Sequence, residues 1–243
     1  MKPVYLKTQK SGIMIGNSYP IIINCNIGIN STTDYLNEIK KIDLLFRDIS
    51  TRPHTMMDLS ICKNSPSLAK YIIDTYDIPV GIVPSYLSFI PNKGIEKSVL
   101  INHIIKNAED GVAFMTMHFT SDWDIYQEAK KDRKIPVTSR GGSVVLSDII
   151  INKRKNNIFI ENIDLIIELA IKYNFVISLG STFRPAGIID ACDKAHIMET
   201  NRQKEICHYI QSHGVGVIVE NVGHITVNKI HSHSKLLQEM NAQ

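Results

Sequence analysis

Short apolar runs that end on a polar or charged residue recur about every 30 positions along this chain. Each run has the length of a buried strand, and the interval suits one strand, one helix and two loops. In a parallel (β/α) barrel, the residues that follow the strands meet at one mouth, where chemistry takes place. The residues at or just past the ends of the seven runs are Asn26, Met57, Tyr86, His118, Ser139, Arg184 and Glu220.

Segments with apolar residues spaced by three and four positions lie between these runs and predict helices. The first segment has Leu36, Ile39 and Ile42 at this spacing. In the second, we expect Ser65 to cap the helix and Pro66 to lie in its first turn, where its missing N–H costs nothing. The predicted helices cover residues 33–49, 65–76, 96–111, 121–132, 143–151, 161–173 and 188–212.

The alternation of strands and helices predicts an α/β fold, a (β/α)8-barrel-like sheet with seven of its eight strands in this chain. The string IMIG within the first twenty residues predicts a small hairpin that closes the barrel floor. No linker or low-complexity stretch divides residues 1–243, so we expect one barrel-type catalytic-domain core. Open sheet edges are normally covered. We therefore expect a complementing chain or a second copy to supply the eighth strand, unless the chain is a fragment.

The amino-acid composition limits the kinds of partner that this chain is expected to bind. The 243 residues are 44% hydrophobic and 21% charged, which is ordinary for a globular domain, and the net charge of +3 is too small to argue for a nucleic-acid partner. No apolar leader and no run of 18 apolar residues occurs, so we expect a cytoplasmic protein without a membrane partner. The four cysteines show no CxxC spacing and are expected to be reduced.

Seven strings of this sequence carry a resemblance to a known family. They occur in the order and near the spacing of the phosphomethylpyrimidine synthase family, which includes the anaerobic 5-hydroxybenzimidazole synthases. The resemblance runs from about Ile13 to Ile230. It implies a barrel that converts aminoimidazole ribotide to hydroxymethylpyrimidine phosphate in thiamine biosynthesis, using S-adenosylmethionine, a [4Fe–4S] cluster and zinc. The strings are IINCNIGINS, MMDLS, PVGIVPSY, FMTMH, TSRGGS, SLGSTFRPAG and IVENVGH.

The resemblance also implies a role for individual residues. A turn of small residues beside an arginine offers N–H groups and a fixed cation to a phosphate, and Tyr or His can orient a flat heterocycle. The implied catalytic residues are Glu220, His118 and Tyr86. The implied substrate-binding residues are Asn26, Met57, Tyr86, His118, Ser139, Arg140, Gly141, Arg184 and Glu220, and His224 aligns with a zinc ligand.

Several of these residues also have a structural interpretation. Asn26, Asp58 and Ser139 are residue types that often cap a following turn, and for Asp58 this is as plausible as a functional role. His231 and His233 resemble a chelating pair, but we expect them to be solvated near the chain end. Core packing is the default for the strand methionines Met56, Met57, Met115 and Met117.

The sequence also departs from the family pattern. Ser181 and Thr182 stand in LGSTFRPAG where the family reads LGDGLRPG, and ENVGH replaces EGPGH. The 243 residues contain neither the cluster motif C-x2-C-x4-C of the family's C-terminal region nor its second zinc histidine. The cysteines lie too far apart for a local cluster cradle. For this chain alone we therefore expect no cofactor, or a weakly held metal at His224. The four cysteines are Cys25, Cys62, Cys192 and Cys207.

Three hypotheses for function follow from these observations. The chain is a subunit or shortened form of a phosphomethylpyrimidine or 5-hydroxybenzimidazole synthase, completed by a second chain. Alternatively, it is a catalytically inactive module that binds a ribotide phosphate. A third hypothesis is an independent lyase that acts on a similar phosphorylated heterocycle without a cofactor or with a metal. The downstream reading frame and the metal content of the purified chain distinguish the three.

Overall fold

A central parallel sheet flanked by helices organises the chain. The computed structural model describes residues 2–220 and 223–243. Four-residue strands made of buried residues, such as Thr55–Asp58 and Val176–Leu179, form the middle of the sheet, as the apolar runs predict. The strands are β1 (Val4–Lys7), β2 (Gly12–Ile15), β3 (Asn24–Ile27), β4 (Thr55–Asp58), β5 (Val80–Ile82), β6 (Phe89–Ile90), β7 (Gly94–Ile95), β8 (Phe114–Met117), β9 (Val176–Leu179) and β10 (Val217–Val219).

Polar caps set the starts of several helices. The side chains of Ser67, Asp122, Ser139 and Asp193 each accept a hydrogen bond from a backbone N–H in the first turn that follows. The predicted cap at Ser65 is therefore wrong by two residues. The helices are α1 (Tyr35–Arg47), α2 (Leu68–Tyr76), α3 (Pro84–Ser88), α4 (Lys97–Glu109), α5 (Trp123–Asp132), α6 (Arg140–Ile151), α7 (Ile163–Tyr173), α8 (Lys194–Ser212) and α9 (Val227–Gln238).

The main sheet has the strand order β10-β9-β8-β5-β4-β3, and all its pairs are parallel. Side chains alternate between its two faces. Met56 and Met115 point outward and pack with α2, α4 and α7 in the largest apolar cluster, which confirms their core role. Met57 and Thr116, one position further on, border an internal cavity. The hydrophobic core thus packs on the outer face of the sheet, and the cavity lies on its inner face.

The N-terminal hairpin closes one end of this cavity. β1 and β2 pair antiparallel, from Val4 opposite Ile15 to Lys7 opposite Gly12. Val4 and Leu6 are buried against Phe114 and Val176, which begin β8 and β9. The hairpin therefore lies at the amino ends of the strands, and the predicted hairpin is confirmed.

The sheet has six strands in the described part of the chain, one fewer than the sequence predicts. The predicted strand that ends at Ser139 is not formed, and residues 134–138 are irregular. β8 pairs directly with β9 over four residues, so no place remains between them. Pro136 lacks the N–H that a ladder needs, and Ile135 is 55% exposed.

The two edge strands, β3 and β10, are not paired with each other among the described residues. Residues of both nevertheless border the same cavity, so the sheet curls in a manner compatible with a barrel. Gln243 lies along the outer edge of β10. It donates to the carbonyl of Val217 (3.4 Å) and accepts from the N–H of Val219 (2.6 Å), which is the hydrogen-bond pattern of a parallel neighbour.

None of the helices in residues 2–220 and 223–243 is both long and apolar enough to span a bilayer.

Candidate functional site

One cavity of about 890 Å³ lies along the inner face of the sheet, between the N-terminal hairpin and the carboxyl ends of the strands. Its wall contains side chains from all six strands or from the residues just after them. Seven residues that the sequence analysis singles out border this cavity, although they come from seven separate segments. These residues are Asn26, Met57, Tyr86, His118, Ser139, Arg184 and Glu220.

The remaining predicted residues lie close by but do not border the cavity. The Arg140 guanidinium lies over the Tyr86 ring, 5.9 Å from its centroid, so it sits at the rim. Gly141 lies behind the His118 ring. His224 is exposed, and its Nδ1 is 3.3 Å from the carbonyl oxygen of Pro185. Asn221 and Val222 of the ENVGH string lie outside the described residues.

His118 is deeply buried at the mouth, with 3% of its surface exposed. Its Nε2 and the Oγ of Ser139 are 2.8 Å apart and share a hydrogen bond. Burial, aided by the charge of Arg184, lowers the pKa of His118 to about 3, so the ring is neutral near pH 7. Nδ1 is buried and has no hydrogen-bond partner among the described residues. A buried ring nitrogen of this kind is available to a polar ligand atom.

Two glycines make room for this ring. A Cβ on Gly141 would lie 2.2 Å from Cε1 of His118, and a Cβ on Gly180 would lie 2.8 Å from Nε2. No side chain fits at either position while the imidazole keeps its place. The SRGG string therefore has a packing role in addition to its predicted contact with a phosphate.

Ser139 and the two residues after it also begin α6. The Oγ of Ser139 accepts from the N–H of Gly142 (3.1 Å), which confirms the capping interpretation of Ser139. The first turn of a helix carries N–H groups and a partial positive charge, which favour an anion. Asp58 also acts as a cap: its carboxylate accepts from the N–H groups of Ser60 (2.9 Å) and Ala69 (3.1 Å).

Glu220 is held by two hydroxyls that sequence reasoning missed. Its Oε1 accepts from Thr116 Oγ1 (2.8 Å) on β8 and from Ser178 Oγ (3.3 Å) on β9. Thr116 and Ser178 are direct partners in the β8–β9 register, and both border the cavity. Each is a polar residue at an inward-facing position of an otherwise apolar run, FMTM or VISL, and this pattern in the sequence could have identified both.

Charged groups of both signs surround Tyr86. Burial and the Glu220 charge raise the pKa of Tyr86, while the guanidiniums of Arg140 and Arg184 act in the opposite direction. The hydroxyl therefore stays protonated near pH 7 and can donate a hydrogen bond. Two guanidiniums and one carboxylate give this end of the cavity a net positive charge, which favours an anionic ligand.

Glu199 on α8 holds the loop that carries Arg184 in place, and no motif in the sequence pointed to this residue. Its buried carboxylate accepts from the hydroxyls of Thr120 (2.7 Å) and Ser181 (2.5 Å). It also accepts from the N–H groups of Thr182 (2.6 Å) and Phe183 (2.9 Å). Burial still raises the pKa of Glu199 in spite of these four donors. An aspartate at position 181 would face this carboxylate at hydrogen-bond distance.

Arg133 fixes the same loop from another side. Its side chain is 1% exposed and makes a bidentate ion pair with Asp193, with both N···O distances 2.7 Å. A third N–H donates to the carbonyl of Phe183 (2.7 Å). Arg184 therefore follows a segment whose backbone is held from two directions.

The described residues hold one group of three metal-ligating side chains, and it lies away from the cavity wall. The group is Cys192, His196 and His233. His233 is 2% exposed, so the expectation that it is solvated is wrong. All four cysteines are free thiols, and they do not gather into the cradle that a [4Fe–4S] cluster needs. His224 belongs to no such group among the described residues.

Comparisons with known proteins give a consistent result. The chain matches the model of the radical SAM ThiC family over residues 3–243. Phosphomethylpyrimidine synthase of Carboxydothermus hydrogenoformans is 32% identical over 235 residues, which cover 93% of this chain and 54% of that protein. Those of Saccharolobus islandicus and Pyrobaculum aerophilum are 33% and 32% identical and cover 94% and 93% of this chain. The chain spans about half the length of these relatives. The matches confirm the resemblance that the seven strings carry.

Proposed function

Because the chain belongs to the radical SAM ThiC family, we propose that it is the ribotide-binding part of a phosphomethylpyrimidine synthase of thiamine biosynthesis in the cytoplasm. Its substrate is aminoimidazole ribotide, a heterocycle that carries a ribose phosphate. The reaction class is the radical carbon–carbon lyase chemistry of the family. The observation that carries this proposal is the convergence of seven separated segments on one cavity with a basic mouth.

In this proposal, the phosphate lies at the mouth. Arg140 and Arg184 supply fixed cations there, and charge-assisted hydrogen bonds from arginine to phosphate are among the strongest in proteins. Ser139 and Gly141 bring the first turn of α6 to the same place.

The heterocycle lies deeper, against the inner face of the sheet. The neutral His118 ring and the protonated Tyr86 hydroxyl orient it by hydrogen bonds. Met57 on β4 and Asn26 on β3 line another part of the cavity wall. Glu220, held by Thr116 and Ser178, is the group placed to hold or accept a proton at the substrate. These positions support the proposed roles of His118, Tyr86 and Glu220 in the chemistry.

S-adenosylmethionine and the cluster that generate a radical in this family do not fit the residues of this chain by themselves. The four thiols lie on separate elements, and His224 is a single exposed ligand. We therefore propose that a complementing chain supplies the cluster ligands, and that the complementing chain or a second copy supplies the strand that joins β10 to β3. The residues of this chain bind and orient the ribotide.

Calorimetric titration of aminoimidazole ribotide into the purified chain tests the proposal. Removing one arginine contact to phosphate costs roughly 1.5–3 kcal/mol, so Arg140→Ala and Arg184→Ala should each weaken binding about tenfold or more. Arg202→Ala is the matched control, because Arg202 is an exposed arginine on α8 whose contact is a loose pair with Glu205. The unphosphorylated riboside should bind much more weakly than the ribotide.

The same titration can also refute the proposed site. Absence of ribotide binding, or equal affinity in the wild type and both cavity variants, would contradict the proposed site. Binding that is insensitive to the phosphate would leave SRGG as a packing element only.

A further inference from the structure

Cys192, His196 and His233 come together from two different parts of the fold. Cys192 and His196 lie at the start of α8, and His233 lies in the middle of α9. Their ligand atoms all lie within 4.8 Å of one another. The His196 and His233 rings are 4.7 Å apart between centroids. None of the three borders the cavity, and none lies in the seven strings that carry the family resemblance.

His233 has the environment of a ligand that lacks its cation. The residue is 2% exposed, and neither Nδ1 nor Nε2 has a hydrogen-bond partner among the described residues. Buried polar atoms without partners are rare in folded proteins and call for an explanation. A metal ion would satisfy one of these nitrogens.

The local backbone presents Cys192 toward the same point. Cys192 has a φ of +61°, in the left-handed region that a residue with a side chain seldom adopts. Its backbone N–H donates to Nδ1 of His196 (3.1 Å), so the His196 ring lies against the Cys192 backbone across the first turn. Asp193 caps α8 between them and forms an ion pair with Arg133.

We infer that Cys192, His196 and His233 bind a zinc-class divalent cation. One thiolate and two imidazoles are a ligand set that suits zinc, which prefers four ligands in a tetrahedron. With Zn–S and Zn–N bonds of about 2.3 and 2.0 Å, ligand atoms in such a site lie roughly 3.5 Å apart. Side-chain rotations that bring the three ligand atoms about 1 Å closer together give the spacing of a tetrahedral zinc site. A water molecule takes the fourth position.

The cation ties α9 to the body of the fold. α9 follows β10; its Leu237 packs against the main apolar cluster, and Lys229 donates to the carbonyl of Ala191 (2.8 Å). A metal that joins His233 to the start of α8 adds a bond between elements about 40 residues apart. The cation therefore holds α9 against the start of α8, and none of its three ligands borders the cavity.

Cobalt titration of the purified full chain tests this site, because a Co²⁺–thiolate bond gives a charge-transfer band in the near ultraviolet. The wild type should bind one Co²⁺ per chain with this band, and Zn²⁺ should displace it. Cys192→Ser should abolish the band. His233→Ala should weaken Co²⁺ binding by at least the roughly 10–100-fold that even a hydrogen-bond partner of a ligand contributes.

Matched controls are present in the same chain. Cys62→Ser replaces another half-buried thiol, His231→Ala replaces an exposed histidine two positions away on α9, and His224→Ala removes the ligand that the family resemblance implies. All three should keep the band and the affinity. Zinc should also raise the Tm of the wild type and of the controls but not of His233→Ala, since only binding to the folded state stabilises it.

Two results would overturn the inference. The first is a wild-type chain that shows no thiolate band at saturating Co²⁺ or keeps it in Cys192→Ser. The second is a His233→Ala variant that binds as tightly as the wild type while its circular dichroism shows a native fold.

Discussion

Gly141→Ala is the substitution whose effect the structure determines most sharply. Gly141 lies in the first turn of α6, where alanine is ordinarily better than glycine by about 1 kcal/mol. Here the new Cβ would lie 2.2 Å from Cε1 of His118, and Gly180 backs the same ring from the other side. Overpacking of this kind costs about 1–3 kcal/mol, so the net effect is a loss of stability.

Gly187→Ala is the matched control. Its Cβ would meet no atom within 4 Å, and its backbone is extended, with φ −154°. That substitution should be neutral or stabilise by up to about 1 kcal/mol through the unfolded chain. Urea unfolding followed by circular dichroism, with equal m values, measures both effects.

A double-mutant cycle identifies the cause. In a His118→Ala background the ring is gone, so Gly141→Ala should cost little or should stabilise the fold. The coupling free energy between positions 118 and 141 should then be about 1–3 kcal/mol. Additive effects, or a Gly141→Ala protein as stable as the wild type, would show that the imidazole does not occupy the place described here.

Three further predictions concern buried charges and polar groups. Because the pKa of His118 is lowered to about 3 from 6.5, the unfolded chain binds a proton between these values that the folded chain does not. The free energy of unfolding should thus fall on acidification by up to about 1.4 kcal/mol per pH unit more than in His118→Gln, and equal slopes in urea titrations at pH 4–7 would contradict this. Arg133→Met should cost roughly 3 kcal/mol, the low end for a buried pair because Asp193 is partly exposed, and an unchanged Tm would disprove it. Glu199→Gln cannot accept all four hydrogen bonds and should lower stability by about 1–3 kcal/mol and weaken ribotide binding, whereas Glu205→Gln should change neither.

The sequence pattern predicts the strands well where a run is buried on both sides. VAFMTMH and FVISLG become β8 and β9, because their neighbours on either side hide them from water. The run IPVT fails because it is short and begins with an exposed Ile135 and a proline. Pattern alone does not record that β8 and β9 pair directly and leave no gap.

The candidate site is predicted in part for a related reason. Residues at strand ends converge because parallel strands share one edge, and seven of them do so here. Glu199 and Arg133 reach the Arg184 loop from other helices, and no local rule links residues so far apart in the chain. His231 and His233 separate for a geometric reason: neighbours two positions apart on a helix point to nearly opposite sides. Only the packing of α9 shows which of the two is buried.

The order of strands across the main sheet is the order of strands along the chain. Each strand of this sheet therefore pairs only with its neighbours along the chain, although the β8–β9 pairing spans α5, α6 and α7 rather than a single helix. Folding can begin at any neighbouring pair and extend in both directions, as in repeat proteins where each unit touches only its neighbours. For the same reason an edge strand can be added or removed without breaking the pairs behind it. A fold with this wiring is suited to being divided between two polypeptides at a strand boundary.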